Sequence, residues 1–571
     1  MTRLDRVRSP LPWLGLAFLL SGCNGFGFKA ALTGDVPEPP AYDVPVVGDK
    51  TLLGAAEPIA IGGVGLVEGL EGTGGDCKHD DYRAMLADTL RKEGRRDVQK
   101  LLNSPYSALV IVDARIHPGA SKGDVIDVEV KLPPGSKASS LRGGVLRRCV
   151  LFNYDSAQRL KPGYAGGASL LKGNAVALAQ GPVLMLPGGR GEAGSSHSGR
   201  VWGGGRVLKE YPLTLVMNGK SQQTVMTAVV ADRINSLFMP GARPGKDSEL
   251  AAPAGASVVS LRVPPSYRQN LPRYLRVVRF IPLVESATGK SKDGKTYRQQ
   301  LRDDLLDPRK AVVAALRLEA LGAGSVPMLK EGLSSKSQLV RFASAEALAY
   351  LQSASCGEAL GEAARVPLFR AYALTALASL PESVCQSQLR SLIESDLDDE
   401  TRMGAFRALH ALNPRHPAVL GEKLADSFWL HRAAPGMPAL VHLSTSRRAE
   451  LVLLGDAHPL RAPFSVLAGE FTITAGEADT RCTVARISGG EEARRQCGLD
   501  LEEVVRLMAD LGCTYSDVIT LVQQAGAVDA IGSRVKFDAL PRVAAVEEVA
   551  ASGFGEQDLG QAPTLFSGAR P

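Results

Sequence analysis

Ile61-Gly-Gly-Val-Gly-Leu-Val-Glu-Gly-Leu-Glu-Gly-Thr-Gly-Gly-Asp76 sets the reading of this chain. It carries Gly62, Gly63, Gly65, Gly69, Gly72, Gly74 and Gly75, together with Thr73. Glycine reaches positive φ at no steric cost and allows close backbone approach, so the stretch predicts tight turns and crowded packing. A phosphate cradle would use similar residues. The Lys-Ser/Thr ending of a P-loop is absent, however, and Glu68 stands where G-x-G-x-x-G needs its last glycine, so nucleotide binding is set aside.

Around this stretch the chain has 571 residues, too many for one core, which favours two to four domains. Hydrophobic residues make up 45% and charged residues 22%, ordinary for a globular protein. Aromatics are 5%, whereas glycine numbers 60 and proline 35, which favours turn-rich β structure beside any helices. The net charge of +6 owes two units to Arg3, Arg6 and Arg8 set against Asp5. What remains is too weak, and too free of aromatic interleaving, to argue for nucleic acid.

Arg3, Arg6 and Arg8 precede an apolar run, Leu11 to Leu20, that is too short to span a bilayer. Leu20-Ser21-Gly22-Cys23 then matches the lipobox of bacterial lipoproteins. Small residues at Ser21 and Gly22 admit the peptidase, and the Cys23 thiol is the nearby nucleophile that takes the lipid. Several acyl chains at about 0.8 kcal/mol per buried methylene suffice for stable anchoring. Asn24 is not the aspartate that retains lipoproteins in the inner membrane of enteric bacteria, which favours the outer membrane. Seven cysteines follow, Cys77, Cys149, Cys356, Cys385, Cys482, Cys497 and Cys513, with no CxxC pair and no zinc-finger spacing. A Cys356–Cys385 bridge is compatible with the sequence.

The organisation expected is a signal peptide over 1–22, a Pro-rich tether over 23–50 and a β-rich block over 51–238 with a helical interruption. Ala108–Val112 and Asp124–Val130 read as neighbouring strands around a turn at His117-Pro118-Gly119, and Thr227–Leu237 as a helix. A linker with a short β segment occupies 239–299. Over 300–415, Val312–Leu321, Arg341–Leu351, Arg370–Leu380 and Arg402–Leu412 recur at roughly thirty-residue spacing, resembling stacked HEAT-like repeats. A second β-rich block covers 425–535. In it Ala449–Leu454, Glu470–Thr474 and Cys482–Ile487 read as strands, and Leu499–Leu511 and Ser516–Ala525 as helices. Residues 536–571 read as a flexible tail. The fold class is α+β multidomain, with β-rich blocks interrupted by an all-α repeat array.

No catalytic or metal site emerges. Gly119-Ala-Ser121-Lys-Gly123 has the spacing of a nucleophile elbow, but a strand follows it where an elbow needs a helix. Asp76, His79, Asp80 and Asp81 cluster, most simply as a solvated helix start.

Four stretches resemble the flagellar P-ring protein family, in the family's order. They are Ile61–Asp76; Ser139-Ser-Leu141-Arg142-Gly143-Gly144-Val-Leu146; Ala175-Val-Ala-Leu-Ala-Gln180-Gly181-Pro-Val183; and Gly498–Met508, containing Val504 and Val505, followed by Gly512, Ser516–Ile519 and Ala525–Val528. The repeat array stands between the third and fourth, without a family counterpart, and lipidation is normally a property of the neighbouring L-ring protein. The resemblance implies a non-enzymatic subunit of a homo-oligomeric periplasmic ring, a bushing around the flagellar rod. It implies the rod, the L-ring protein and peptidoglycan as partners, no cofactor, and the glycine motifs as structural or subunit-packing residues. The other expectation is a lipid-anchored envelope scaffold that reuses the fold, with the repeats as its partner-binding surface.

Overall fold

The computed structural model describes residues 44–54, 58–77, 79–153, 174–185, 197–240, 249–284, 295–445, 448–488, 491–541 and 563–566. Cys23, the signal segment and most of the tether lie outside the described residues. Helix α1 (Val47–Lys50) and strand β1 (Thr51–Leu53) come first. The tether reading ends before them: Val47 is buried, and its N–H donates to the Ile281 carbonyl at 2.9 Å.

Strand β2 (Ile59–Glu68) is followed by α2 (Asp81–Lys92) and α3 (Val98–Leu102). Then come β3 (Ser107–Ile116), β4 (Val125–Lys131), β5 (Val145–Asn153), β6 (Ala175–Pro182) and β7 (Ser198–Val207). These six strands close into an antiparallel barrel in the order β2-β3-β4-β7-β6-β5. On β4, Val128 and Val130 point into the barrel core while Asp127 is exposed, the alternation its sequence carries. Closure bends β2, and its register with β5 shifts between Gly62 and Val67. There a Cβ on Gly63 would lie 2.5 Å from the Val150 carbonyl oxygen, and one on Gly65 2.9 Å from Leu146 Cδ1. Such barrel corners need glycine. Outside the barrel, Leu66 and Leu109 pack on Leu86, Leu90, Val98 and Leu102 of the two helices. The acidic cluster serves this helix start, where the Asp80 carboxylate accepts the Arg83 N–H at 3.1 Å and Asp76 pairs with the Arg83 guanidinium. Gly119 and Gly123 lie in the turn from β3 to β4.

Strand β8 (Leu213–Met217), α4 (Thr224–Phe238), β9 (Ala251–Pro253), β10 (Val258–Leu261) and α5 (Leu271–Phe280) follow. β10 is the short β segment expected within 239–299, whereas β9 and α5 correct the linker reading around it; β9 and β10 complete a sheet of order β1-β8-β10-β9. The strands are short, and Pro253 and Gly255 mark the turn between them.

The array comprises α6 (Tyr297–Leu306), α7 (Ala311–Ala320), α8 (Val326–Leu333), α9 (Gln338–Tyr350), α10 (Gly357–Ala363), α11 (Pro367–Leu377), α12 (Ser383–Ile393) and α13 (Asp399–Leu412). The four recurring segments are α7, α9, α11 and α13. They form an inner layer buried almost all round, which requires cover on both faces. One face meets the even-numbered helices, and the array shares one continuous core with α5, the sheet of β1 and parts of the C-terminal block. Interruption in sequence is therefore not isolation in space. Arg273 of α5 enters this core and pairs with Glu319 of α7 and Glu346 of α9, both at 2.5 Å. Tyr267 donates to the Glu319 carboxylate at 2.6 Å, and Asn270 to the Tyr350 hydroxyl at 2.9 Å. Burial opposes the Arg273 charge, but its two carboxylates more than offset this and hold its pKa above the ordinary value.

The C-terminal block contains β11 (Gly421–Leu424), β12 (Phe428–Ala433), β13 (Leu440–Leu443), β14 (Glu450–Leu454), β15 (Phe464–Ala468), β16 (Phe471–Ala475), β17 (Arg481–Ser488), β18 (Glu491–Gly498), α14 (Leu501–Asp510), α15 (Tyr515–Ala527) and β19 (Arg534–Phe537). A mixed sheet runs β11-β12-β14-β13-β19, and an antiparallel meander runs β15-β16-β17-β18. Of the 536–571 tail, residues 536–541 and 563–566 are described, and both correct the flexible reading, the rest lying outside the described residues. β19 pairs in parallel with β13, and Leu565 and Phe566 are buried in the array core, where the Leu565 N–H donates to the Gln269 carbonyl at 3.0 Å.

Where α13 meets the mixed sheet, Glu450 is buried between Arg407 and Arg448, near His410, His431 and His442. Burial opposes the Glu450 charge, but the two guanidiniums prevail and hold its pKa at about 2. Burial holds His410 and His442 down at about 4.

Arg273→Leu leaves two buried carboxylates unpaired and should cost about 3–5 kcal/mol in denaturant unfolding. Arg302→Ala, which removes an exposed partner of Glu331, should leave the midpoint unchanged. For pH, an unfolded histidine titrates near about 6.5 and takes up protons that the buried forms refuse, so stability should fall as pH drops from there towards about 4. Melting temperature against pH should show that slope, and His442→Gln should flatten it.

Candidate functional site

The four glycine-bearing motifs meet at one joint between the barrel and the C-terminal block. Beyond β2, Gly69 and Gly72 take φ of +82° and +79° and swing the loop back under the barrel. The Leu70 N–H then donates to the Tyr106 carbonyl at 3.1 Å, Gly74 N–H to Pro105 at 2.8 Å and Gly75 N–H to Ser107 at 3.0 Å. A Cβ on Gly74 would lie 2.7 Å from the Pro105 oxygen. Any side chain there would push the loop off β3.

The second motif lies against the first. The Ser139 N–H donates to the Thr73 carbonyl at 2.8 Å, and the Thr73 hydroxyl donates to the Ser140 carbonyl at 3.0 Å. The Lys137 N–H donates to the Asp76 carbonyl at 2.9 Å. Leu141 is buried in the barrel core beside Leu70. Gly143 has φ of +73°, and a Cβ on Gly144 would lie 2.8 Å from Leu70 Cδ2. The third motif closes on the second through the Val183 N–H, which donates to the Gly144 carbonyl at 2.8 Å. Gly181 sits opposite Leu146, and Gln180 is exposed.

The fourth motif completes the joint from several hundred residues away. Arg142 pairs with the buried Asp517 carboxylate, which also accepts the Thr514 N–H and hydroxyl at 2.8 Å and so caps α15. Gly469, with φ of +68°, lies where Arg142 passes, and a Cβ on it would overlap that guanidinium and Asp517. Arg486 of β17 reaches Glu71 at 2.8 Å, Glu470 at 3.1 Å and the Leu511 carbonyl at 2.9 Å. Burial opposes its charge, but the two carboxylates raise its pKa overall. Gly512, with φ of +85°, ends α14 and leaves room for this contact, since a Cβ there would stand 3.0 Å from Arg486 Nη1. Ser516 donates to the Met185 carbonyl at 2.7 Å, and the Trp202 ring meets Tyr515 edge-on at 6.1 Å.

Among the motif residues, Thr73, Gly74, Asp76, Leu141, Arg142, Gly144, Gly181 and Gly512 thus lie at or beside the joint. Gly62, Gly63 and Gly65 belong to the barrel corner. Val504 and Val505 are buried in the core of the C-terminal block. Sequence reasoning missed Glu71, Gly469, Arg486, Ser516 and Asp517 as joint residues. Glu71, Ser516 and Asp517 lay inside the quoted motifs, but Gly469 and Arg486 carry no local signal. The arrangement holds two folded blocks in one orientation, with every charge it uses already paired, as befits a structural module.

Comparison with known proteins agrees with that class. Residues 49–290 match the family model described as flagellar P-ring protein, a structural family. The match reaches beyond the expected 51–238, taking in β9, β10 and α5, and it stops before the array and the fourth motif. Flagellar P-ring proteins of Oleidesulfovibrio alaskensis, Escherichia fergusonii and Helicobacter hepaticus are 28%, 27% and 27% identical to this chain over 254, 228 and 229 residues. Those alignments cover 42%, 37% and 39% of this chain and 60%, 57% and 54% of the relatives, so the chain spans little more than half their length.

Substituting Gly469→Ala should destabilise the chain by about 1–3 kcal/mol, from the positive φ and the displaced Arg142. Combined with Arg142→Ala, the loss should be less than additive by about 0.5–3 kcal/mol in a double-mutant cycle. Full additivity would show that the two positions are not coupled.

Proposed function

We propose that this chain is a structural subunit of a periplasmic ring of the flagellar P-ring type, a bushing around the rod, anchored in the envelope through lipid on Cys23. The observation that carries the reading is the P-ring match over 49–290 together with the convergence of all four motifs on one joint. A subunit that repeats around a closed ring transmits force through its own body, so its blocks must keep one mutual orientation. A ring of identical subunits uses heterologous contacts that close by rotation. The partners in this reading are further copies of the chain, the rod, the L-ring protein and peptidoglycan. Its place is the periplasmic side of the envelope, with the lipid in the outer membrane, and it performs no catalysis.

The array lies outside the matched segment, which supports a second reading: a lipid-anchored scaffold with no flagellar role. Because the inner layer of the array is covered by the chain itself, a partner would meet the outer layer of α6, α8, α10 and α12. Electron micrographs of basal bodies from a deletion strain test the first reading, which expects the bushing to be missing. A bushing still in place would overturn it. Purified protein that remains a monomer once the lipid is removed would favour the scaffold.

A further inference from the structure

Cys482 and Cys497 face each other across β17 and β18 in antiparallel register, with their sulfurs 3.4 Å apart. Opposed residues of such a pair have Cα atoms about 4.5–5.5 Å apart, within the roughly 4.4–6.8 Å that a disulfide spans. Rotation about the side-chain bonds closes the remaining gap. Cys356, at the start of α10, and Cys385, in α12, are both fully buried in the array. Cys77, Cys149 and Cys513 lack the geometry of the hairpin pair. Cys77 lies 3.6 Å from Arg83 Nη1, and Cys149 donates to the Val64 carbonyl at 3.5 Å. Burial raises the thiols of Cys149 and Cys513, the former to about 12.

We propose that the mature fold carries a disulfide, Cys482–Cys497, that clips the β17–β18 hairpin. The oxidant is a disulfide of the class carried by oxidised glutathione or a dithiol oxidoreductase. The Cys497 thiolate attacks one sulfur of that disulfide and expels a thiolate, giving a mixed disulfide. The Cys482 thiolate then attacks the Cys497 sulfur and expels the second thiolate. Both cysteines are oxidised, the oxidant is reduced to two thiols, and the two cysteine protons end on those thiols. Cys497 is the point of entry because it is 9% exposed, whereas Cys482 is fully buried. The clip lies on β17, the strand that also carries Arg486.

The test uses the full chain refolded in a glutathione redox buffer, alkylated and digested with trypsin without reductant. Cys482–Arg486 should be linked to Gln496–Arg506. Alkylated Cys482 and Cys497, or either sulfur joined elsewhere, would overturn the clip. Heating supplies a second readout. The midpoint should drop by a few degrees when reductant is added, and C497S should lose that drop. A midpoint indifferent to reductant would overturn the stabilising role of the bond. Neither readout depends on whether the chain forms a ring.

Discussion

Arg142 reaches Asp517 because residue 469 has no side chain. That small clearance lets a guanidinium from the barrel's second motif satisfy a carboxylate buried at the head of α15. The same carboxylate caps the helix, so the ion pair and the helix start are set together. Arg486 does the converse from the C-terminal side, joining Glu71 of the first motif to the carbonyl end of α14. Each arginine thus fixes an orientation between blocks and completes a helix terminus at once. Among these charges Asp517 is the buried one, and removing Arg142 would strand it.

The array is fixed by a different device with the same logic. Arg273 on α5 holds two carboxylates from successive inner-layer helices, so the first turns of the array are keyed to the P-ring-like segment. The far end is keyed through Arg407 of α13 and Glu450 of β14. The returning residues Leu565 and Phe566 fill a place in the same core. Covered on both faces, the inner layer has become part of the body of the protein.

Much of this was legible in the sequence. The alternation of Val125–Val130 gave β4, the spacing of Leu321, Leu351, Leu380 and Leu412 gave the inner helices, and the stripe Leu501, Val504, Val505, Met508 gave the buried face of α14. The readings that failed share a cause. Proline, glycine and alanine make part of 239–299 read as a linker, and 536–571 reads as a tail, yet β9, β19 and the Leu565-Phe566 anchor are ordered by distant partners, while β10 is the short β segment expected there. Short strands carry too little periodicity to declare themselves, and their stability comes from the sheet they join.

The sequence by itself determined the local elements and the positions where glycine was needed, because periodicity and φ are properties of near neighbours. It also carried the first three motifs within the segment that matches the P-ring family. Only the tertiary structure decided that these motifs form one joint, that Gly469 and Arg486 belong to it, and that the array is built into the core. Those outcomes rest on contacts between residues hundreds of positions apart, where burial and charge pairing are settled by the packed molecule and leave no mark on the local pattern.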